Sequence, residues 1–352
     1  VNQIFLISSI SCDVNKILSN SSLNDNASDK TGEVKISNIP GMAAAHKKKL
    51  IVICGPTGVG KTALSIEMAD RFSGGIIGAD SMQIYKYMDI GTAKPTKAER
   101  ARVPHYMIDI VTPDVDYDAA RFSREGRAAV VHLHEQGRIP FVVGGTGFYI
   151  KALVYGLFDS APADDDIRHK LREAAEKEGG EVMYRRLLIV DPASAARIHP
   201  NDTYRVIRAL EIYERTGRPM SRYQETHAFA DDPFDVLKIC LNRDRETLYV
   251  RIDRRVAQMM EDGLIDEVKY LLEMGYSKKH RPMQALGYRH ALDFLAGRAD
   301  LDEMIDTLKR DTRHYAKRQL TWFRKDREML WHSPEDIDAV AERIGRFLEA
   351  SN

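Results

Sequence analysis

Only three cysteines occur in 352 residues: Cys12, Cys54 and Cys240. They stand far apart, form no CxxC pair and no zinc-ligand spacing, and cannot make an even disulfide set, so a reduced cytoplasmic location is expected. Net charge is also lacking. Lys+Arg and Asp+Glu are both 52, which excludes polyanion binding by the molecule as a whole; any nucleic-acid contact must come from a local basic patch. No apolar run approaches the ~20 residues of a membrane-spanning helix, which removes a membrane partner. No internal repeat is visible. What is left is 43% hydrophobic and 30% charged, a globular composition. At roughly 150 residues per domain, the length suits two domains or one domain with an insertion.

The first forty residues differ from the rest. Ile4 to Ile10 is apolar but short, with no basic residue before it, which argues against a signal peptide. Ser19 to Lys30 is rich in Ser, Asn and Asp and favours disorder. The first methionine is Met42. Translation is expected to start there, with residues 1–41 a disordered or non-native extension.

From Leu50 the pattern alternates. Leu50–Cys54, Gly75–Ala79, His105–Ile110 and Pro140–Val143 read as strands, and Lys61–Phe72 and Ala119–Gln136 as helices between them. That order implies a parallel sheet with right-handed crossovers, and ligands outside the carboxyl ends of its strands. Asp159–Asp166 is an acidic linker. Ile167 to about Gly217 reads as helices only. Val236–Leu241 returns as one strand, and Glu246–Gly263, Ile265–Gly275, Met283–Gly297 and Leu301–Arg318 read as helices. The expected fold is α/β: a P-loop-type parallel sheet flanked by helices, with an all-helical insertion and a helical C-terminal part. The expected boundaries are 42–158 and 226–352 for the core and 159–225 for the insertion.

Gly55-Pro56-Thr57-Gly58-Val59-Gly60-Lys61-Thr62 fits GxxxxGK[ST] between a strand and a helix, the context that motif needs. Its backbone N–H groups turn toward an anion, the helix N-terminus favours negative charge, Lys61 neutralises phosphate, and Thr62 can hold Mg²⁺. The motif specifies phosphate, not a nucleotide. No Asn-Lys-x-Asp for guanine is present, and only Ile76–Asp80 resembles a Walker B strand. That second strand ends in Asp80-Ser81-Met82-Gln83. Asp80 can accept a proton and Gln83 can pair with an adenine edge; equally, Asp80 can cap the next turn or hold Mg²⁺ through water. Gly144-Gly145-Thr146-Gly147 after the fourth strand permits close approach of a substrate, or is an ordinary strand–helix turn.

Seven motifs in this order, GPTGVGKT, DSMQIY, DIGTAKP (Asp89–Pro95), GGTGFYI, RIHPNDTYRVIRALEIYERTGRP (Arg197–Pro219), QALGYR (Gln284–Arg289) and TRHYAKRQLTWFR (Thr312–Arg324), resemble those of the tRNA dimethylallyltransferases, over about Leu50 to Trp331. The resemblance implies that the phosphate loop, Gly55 to Thr62, binds the diphosphate of dimethylallyl diphosphate rather than a nucleoside triphosphate. It implies Asp80 as general base toward N6 of adenosine 37 in the tRNA anticodon loop, with Thr57 beside the reacting atoms and Lys61 and Arg251 on the leaving diphosphate; Arg255 is the alternative arginine. Asp80, Ser81, Met82 and Gln83, then Thr146 and Arg168, and Tyr204, Arg205, Val206, Ile207 and Arg208 match tRNA-contact positions. Mg²⁺ on Thr62 is the implied cofactor, and a cytoplasmic monomer the implied form. By residue type alone, Arg208 could instead pair with Glu211. Lys309–Lys325 carries seven Lys/Arg against one acidic residue, with Tyr315, Trp322 and Phe323 interleaved: either the local basic patch for RNA, or a helix packed on the core.

Overall fold

The computed structural model describes residues 47–157, 165–227 and 231–350. The expected extension 1–41, the start at Met42 and most of the acidic linker lie outside the described residues. The elements run β1 (Lys48–Cys54), α1 (Lys61–Arg71), β2 (Gly75–Gly78), α2 (Lys97–Arg102), β3 (His105–Tyr106), α3 (Ala119–Glu135), β4 (Pro140–Gly144) and α4 (Gly147–Tyr155). Five helices follow: α5 (Asp165–Glu178), α6 (Gly180–Val190), α7 (Pro192–Ala195), α8 (Thr203–Thr216) and α9 (Met220–His227). Then come β5 (Phe234–Leu241), α10 (Arg245–Glu261), α11 (Leu264–Glu273), a 3₁₀ turn (Arg281–Gln284), α12 (Tyr288–Leu295), α13 (Leu301–Phe323), β6 (Leu330–His332) and α14 (Ile337–Glu349).

The six strands form one sheet in the order β3-β2-β4-β1-β5-β6. Every pairing is parallel. β1 lies inside the sheet and is apolar without interruption from Leu50 to Cys54, as a strand covered on both faces must be. Its side chains alternate between two cores. Leu50, Val52 and Cys54 join Phe122, Val130 and Ile150 from α3 and α4 on one face. Ile51 and Ile53 join Leu64 and Met68 of α1 and Val340 and Ile344 of α14 on the other. This division follows from the period of two along a strand.

Helices α5 to α8 have a core of their own, with Leu171, Met183, Leu187, Val206 and Leu210 at its centre. The stripe on α8 follows helical spacing, and Asp202 caps it by accepting the Arg205 N–H at 3.2 Å.

Three elements depart from the sequence reading. The third strand stops at Tyr106 rather than Ile110, because Met107 and Asp109 take φ of 63° and 56°, left-handed backbone that a strand cannot contain. Met283–Gly297 is not one helix: a 3₁₀ turn, Arg281–Gln284, holds its first residues, and Gly287, at φ 87°, separates that turn from α12. The C-terminal part is not purely helical. Leu330–His332 adds an edge strand, pairing Cys240 with Trp331, and three residues are too few to show alternation.

Candidate active site

Three loops and one helix meet at the carboxyl ends of the strands. The first is the phosphate loop between β1 and α1. Gly55 has φ 145°, and a Cβ there would stand 2.6 Å from the Leu241 carbonyl oxygen, so the chain can turn off β1 beside β5 only as glycine. Lys61 Nζ donates to the carbonyls of Gly55 at 3.1 Å and Pro56 at 2.9 Å. Burial, and then repulsion from the Arg255 guanidinium, push the Lys61 ammonium down to about 8.

The second loop carries Asp80. Its Oδ1 accepts the backbone N–H of Met82 at 2.9 Å and of Gln83 at 3.4 Å. Gln83 Nε2 donates to the carbonyls of Thr92 at 3.1 Å and Ala93 at 3.2 Å, holding the DIGTAKP loop against this turn. That loop is pinned further by Glu267 on α11, which accepts the N–H groups of Asp89, Ile90 and Gly91 at 2.8, 2.8 and 3.1 Å and the Tyr288 hydroxyl at 2.6 Å. The buried Lys94 of the same loop donates to Asp89, at 2.7 Å, and to Asp109. Nothing in the spacing of Glu267 marks it; its role depends on α11 crossing a loop about 180 positions earlier, and is visible only in the fold.

The third loop follows β4. Thr146 does not cap α4 with its hydroxyl. Instead Oγ1 accepts the Ser81 N–H at 3.1 Å, joining this loop to the Asp80 turn. The fourth element is helix α13. Tyr315 reaches the Thr146 side chain, and burial together with the Asp80 carboxylate raises its hydroxyl well above the ordinary phenol value, so it stays protonated. Gln319, one turn on, accepts the Thr57 N–H at 2.9 Å.

These loops enclose a cavity of about 840 Å³. Thr57, Lys61, Thr62 and Asp80 line it together with Gln83 and Gln319, and Val256, Met259 and Leu308 provide an apolar side. Arg251 and Arg255 enter from α10. Arg251 is exposed and places Nε on the Gly58 carbonyl at 2.8 Å. Arg255 is half-buried, and burial lowers its guanidinium while Asp80 raises it. A phosphate-binding loop, a carboxylate and two arginines around one partly apolar cavity suit an anionic leaving group on a hydrocarbon, with a base opposite.

Two models of known families match the sequence: IPP transferase over residues 83–326 and isopentenyl transferase over residues 48–116. A curated tRNA dimethylallyltransferase from Desulfosudis oleivorans is 50% identical over 303 residues, 86% of this chain and 96% of the relative. The chain belongs to the tRNA dimethylallyltransferase family. A second relative, tRNA dimethylallyltransferase 2 of Geotalea uraniireducens, is 51% identical over 302 residues, 86% of this chain and 97% of that one. The solved tRNA isopentenylpyrophosphate transferase of Bacillus halodurans is 42% identical with a TM-score of 0.65, covering 86% of this chain and 97% of that one. A solved eukaryotic dimethylallyltransferase acting on tRNA is 34% identical with a TM-score of 0.72, covering 85% of this chain and 77% of that chain.

Within this member of the tRNA dimethylallyltransferase family, the expected RNA-contacting residues of the insertion divide into three groups. Tyr204 is exposed, with the Arg281 guanidinium 5.5 Å from its ring centroid, and Arg205 is exposed beside Asp202. Val206 and Ile207, at 0% and 7% exposure, are a correction: they lie in the insertion core, where the stripe that makes α8 amphipathic must bury them. Arg168 and Arg208 both hold the buried Glu211. Arg168 does so through two hydrogen bonds of 3.0 and 3.1 Å, and Arg208 through one of 2.8 Å. The pairing that the sequence left open for Arg208 is therefore present. The basic segment on α13 is likewise mixed: Phe323 is core, Arg313 pairs with Asp253, and Trp322 remains exposed beside Phe148.

Proposed function

We propose that the protein transfers the dimethylallyl group of dimethylallyl diphosphate to the exocyclic N6 of adenosine 37 in tRNA anticodon loops, releasing diphosphate. Transfer of a dimethylallyl group to tRNA follows from the family; the atom, the base and the residue roles are our reading. The observation that carries it is Asp80 facing the same cavity as the phosphate loop, from the strand end two places along the sheet.

The N–H groups of the phosphate loop and Lys61 hold the diphosphate. The N6 lone pair attacks C1 of the dimethylallyl group, the C1–O bond breaks, and its electron pair leaves on the diphosphate. An exocyclic amine is a weak nucleophile because its lone pair is delocalised into the ring. Asp80 therefore takes the N6 proton as the C–N bond forms, while Lys61, Arg251 and Arg255 stabilise the charge developing on the leaving group. Adenine must leave the loop stack to reach this depth, at a cost of a few kcal/mol. Gln83, whose Nε2 is spent on the Thr92 and Ala93 carbonyls, would offer its Oε1 to the adenine edge, and the exposed Tyr204 and Arg205 would grip the stem-loop.

Thr62 fits Mg²⁺ bound mainly by the substrate. It lines the cavity, and the described residues hold no group of three or more His, Cys, Asp or Glu that would form a protein cage. An ion held by the Thr62 hydroxyl would supply further positive charge to the diphosphate. Incubation with tRNA and dimethylallyl diphosphate, followed by mass analysis of adenosine 37, tests the reading. Unmodified adenosine 37, with turnover of ATP alone, would replace it with a kinase.

A further inference from the structure

Gln319 of helix α13, which is 6% exposed, hydrogen-bonds the phosphate loop. A primary amide carries one acceptor oxygen and a donor nitrogen, and here both ends are used. Oε1 accepts the Thr57 backbone N–H at 2.9 Å, and Nε2 donates to the Gly145 carbonyl at 2.9 Å. Glycine at 145 leaves room for this contact: a Cβ there would stand 2.2 Å from Nε2 and push the amide aside. The next residue, Thr146, accepts the Ser81 N–H at 3.1 Å, and Ser81 follows Asp80.

The contacts therefore form a bridge. The phosphate loop leaves β1, Asp80 follows β2, and β4 lies between those strands. Gln319 ties the loop after β1 to the loop after β4, and Thr146 ties that loop to the turn after β2. The bridge spans the distance the reaction must close, from the diphosphate's holder to the N6 base. It also commits the Thr57 amide to Gln319, so what Thr57 offers the cavity is its side chain rather than an anion-binding N–H.

We infer that Gln319 is a positioning residue for the transfer, fixing the phosphate loop against the Asp80 turn without touching either substrate's reacting atoms. The kinetic consequence rests on the function proposed above; the bridge itself does not. Two measurements separate them. Hydrogen exchange on the unliganded full-length protein should show the Thr57 amide protected in the wild type and at least tenfold faster in Gln319→Met, which keeps the length and removes both bonds. Single-turnover transfer at saturating substrates should fall on the order of 10²-fold in Gln319→Met, the scale of a misplacement of about 1 Å. The KM values for tRNA and dimethylallyl diphosphate should stay within about threefold. Gly145→Ala, which displaces the amide with Gln319 intact, should reproduce the loss, and the double variant should be no slower than the worse single.

An unprotected Thr57 amide in the wild type would remove the bridge, whatever the reaction. A folded Gln319→Met with protected Thr57 or unchanged single-turnover rate would overturn the role. So would a loss confined to KM, or additive losses in the double variant. If Gln319→Met does not fold, Gly145→Ala carries both measurements with the same expected results. A wild type that protects Thr57 but transfers nothing would retain the bridge and reject the proposed function.

Discussion

Asp80 Oδ1 accepts the Met82 N–H at 2.9 Å, so the carboxylate caps its own turn with one oxygen while the residue lines the reaction cavity. The capping role and the catalytic role, rivals on sequence grounds, are compatible because a carboxylate has two oxygens.

The pair of roles separates by substitution. Asp80→Asn keeps an oxygen for the Met82 N–H and loses the base. The expected result is a near-native thermal midpoint with transfer about 10²–10⁴-fold slower. Asp80→Ala should lose the same rate and, in addition, about 0.5–2 kcal/mol of stability with the cap. Thermal unfolding with single-turnover kinetics on both variants checks this. An active Asp80→Asn would remove Asp80 as the base.

Lys61 should make diphosphate affinity pH-dependent. Its folded value is lowered to about 8, so the free enzyme carries the full ammonium charge below that pH and loses it above. Binding of dimethylallyl diphosphate is expected to weaken as pH rises from about 8 toward 9, and Lys61→Met should bind weakly with no such fall. The stability sign is opposite. The unfolded chain holds this proton up to the ordinary lysine value, so folding gains stability as pH rises between about 8 and that value. Titration calorimetry across pH 7–9.5 measures the binding limb.

The two arginines of α10 should differ. Arg255 is the second cause of the Lys61 shift, after burial. Arg255→Met should raise the pH at which diphosphate affinity declines and slow the chemical step, since it removes half-buried charge near the leaving group. Arg251 sits exposed on the Gly58 carbonyl, and Arg251→Met should act mainly on KM for dimethylallyl diphosphate. Identical pH profiles for wild type and Arg255→Met would show that Arg255 does not act on Lys61.

On α8, Arg205 and Arg208 should part company. Arg205→Ala, at an exposed position, should weaken tRNA binding and lower its salt slope by about 1. Arg208→Ala should instead destabilise the fold by about 1–3 kcal/mol, because the buried Glu211 loses a charged partner. Filter binding against salt and denaturant melts distinguish the two.

The sequence alone determined the elements whose causes are local. The run Leu50 to Cys54, the glycines of residues 55–60 and the spacing of Lys61 and Thr62 specify a buried strand, a glycine-rich turn and a helix start, whatever surrounds them. The motifs at Asp80 and Gly144 were legible for the same reason, as strand ends with a short polar or glycine-rich turn. Long-range contact decided the rest. Whether an arginine meets RNA or a buried carboxylate depends on what the fold sets opposite it: Arg208 meets Glu211 within α8, three residues on, but Arg168 reaches the same carboxylate only because α5 packs on α8. The same holds for Gln319, which reads as one polar residue in a basic amphipathic helix. Its work on Thr57 exists only where α13 crosses the strand ends, and no periodicity carries a contact across 262 positions.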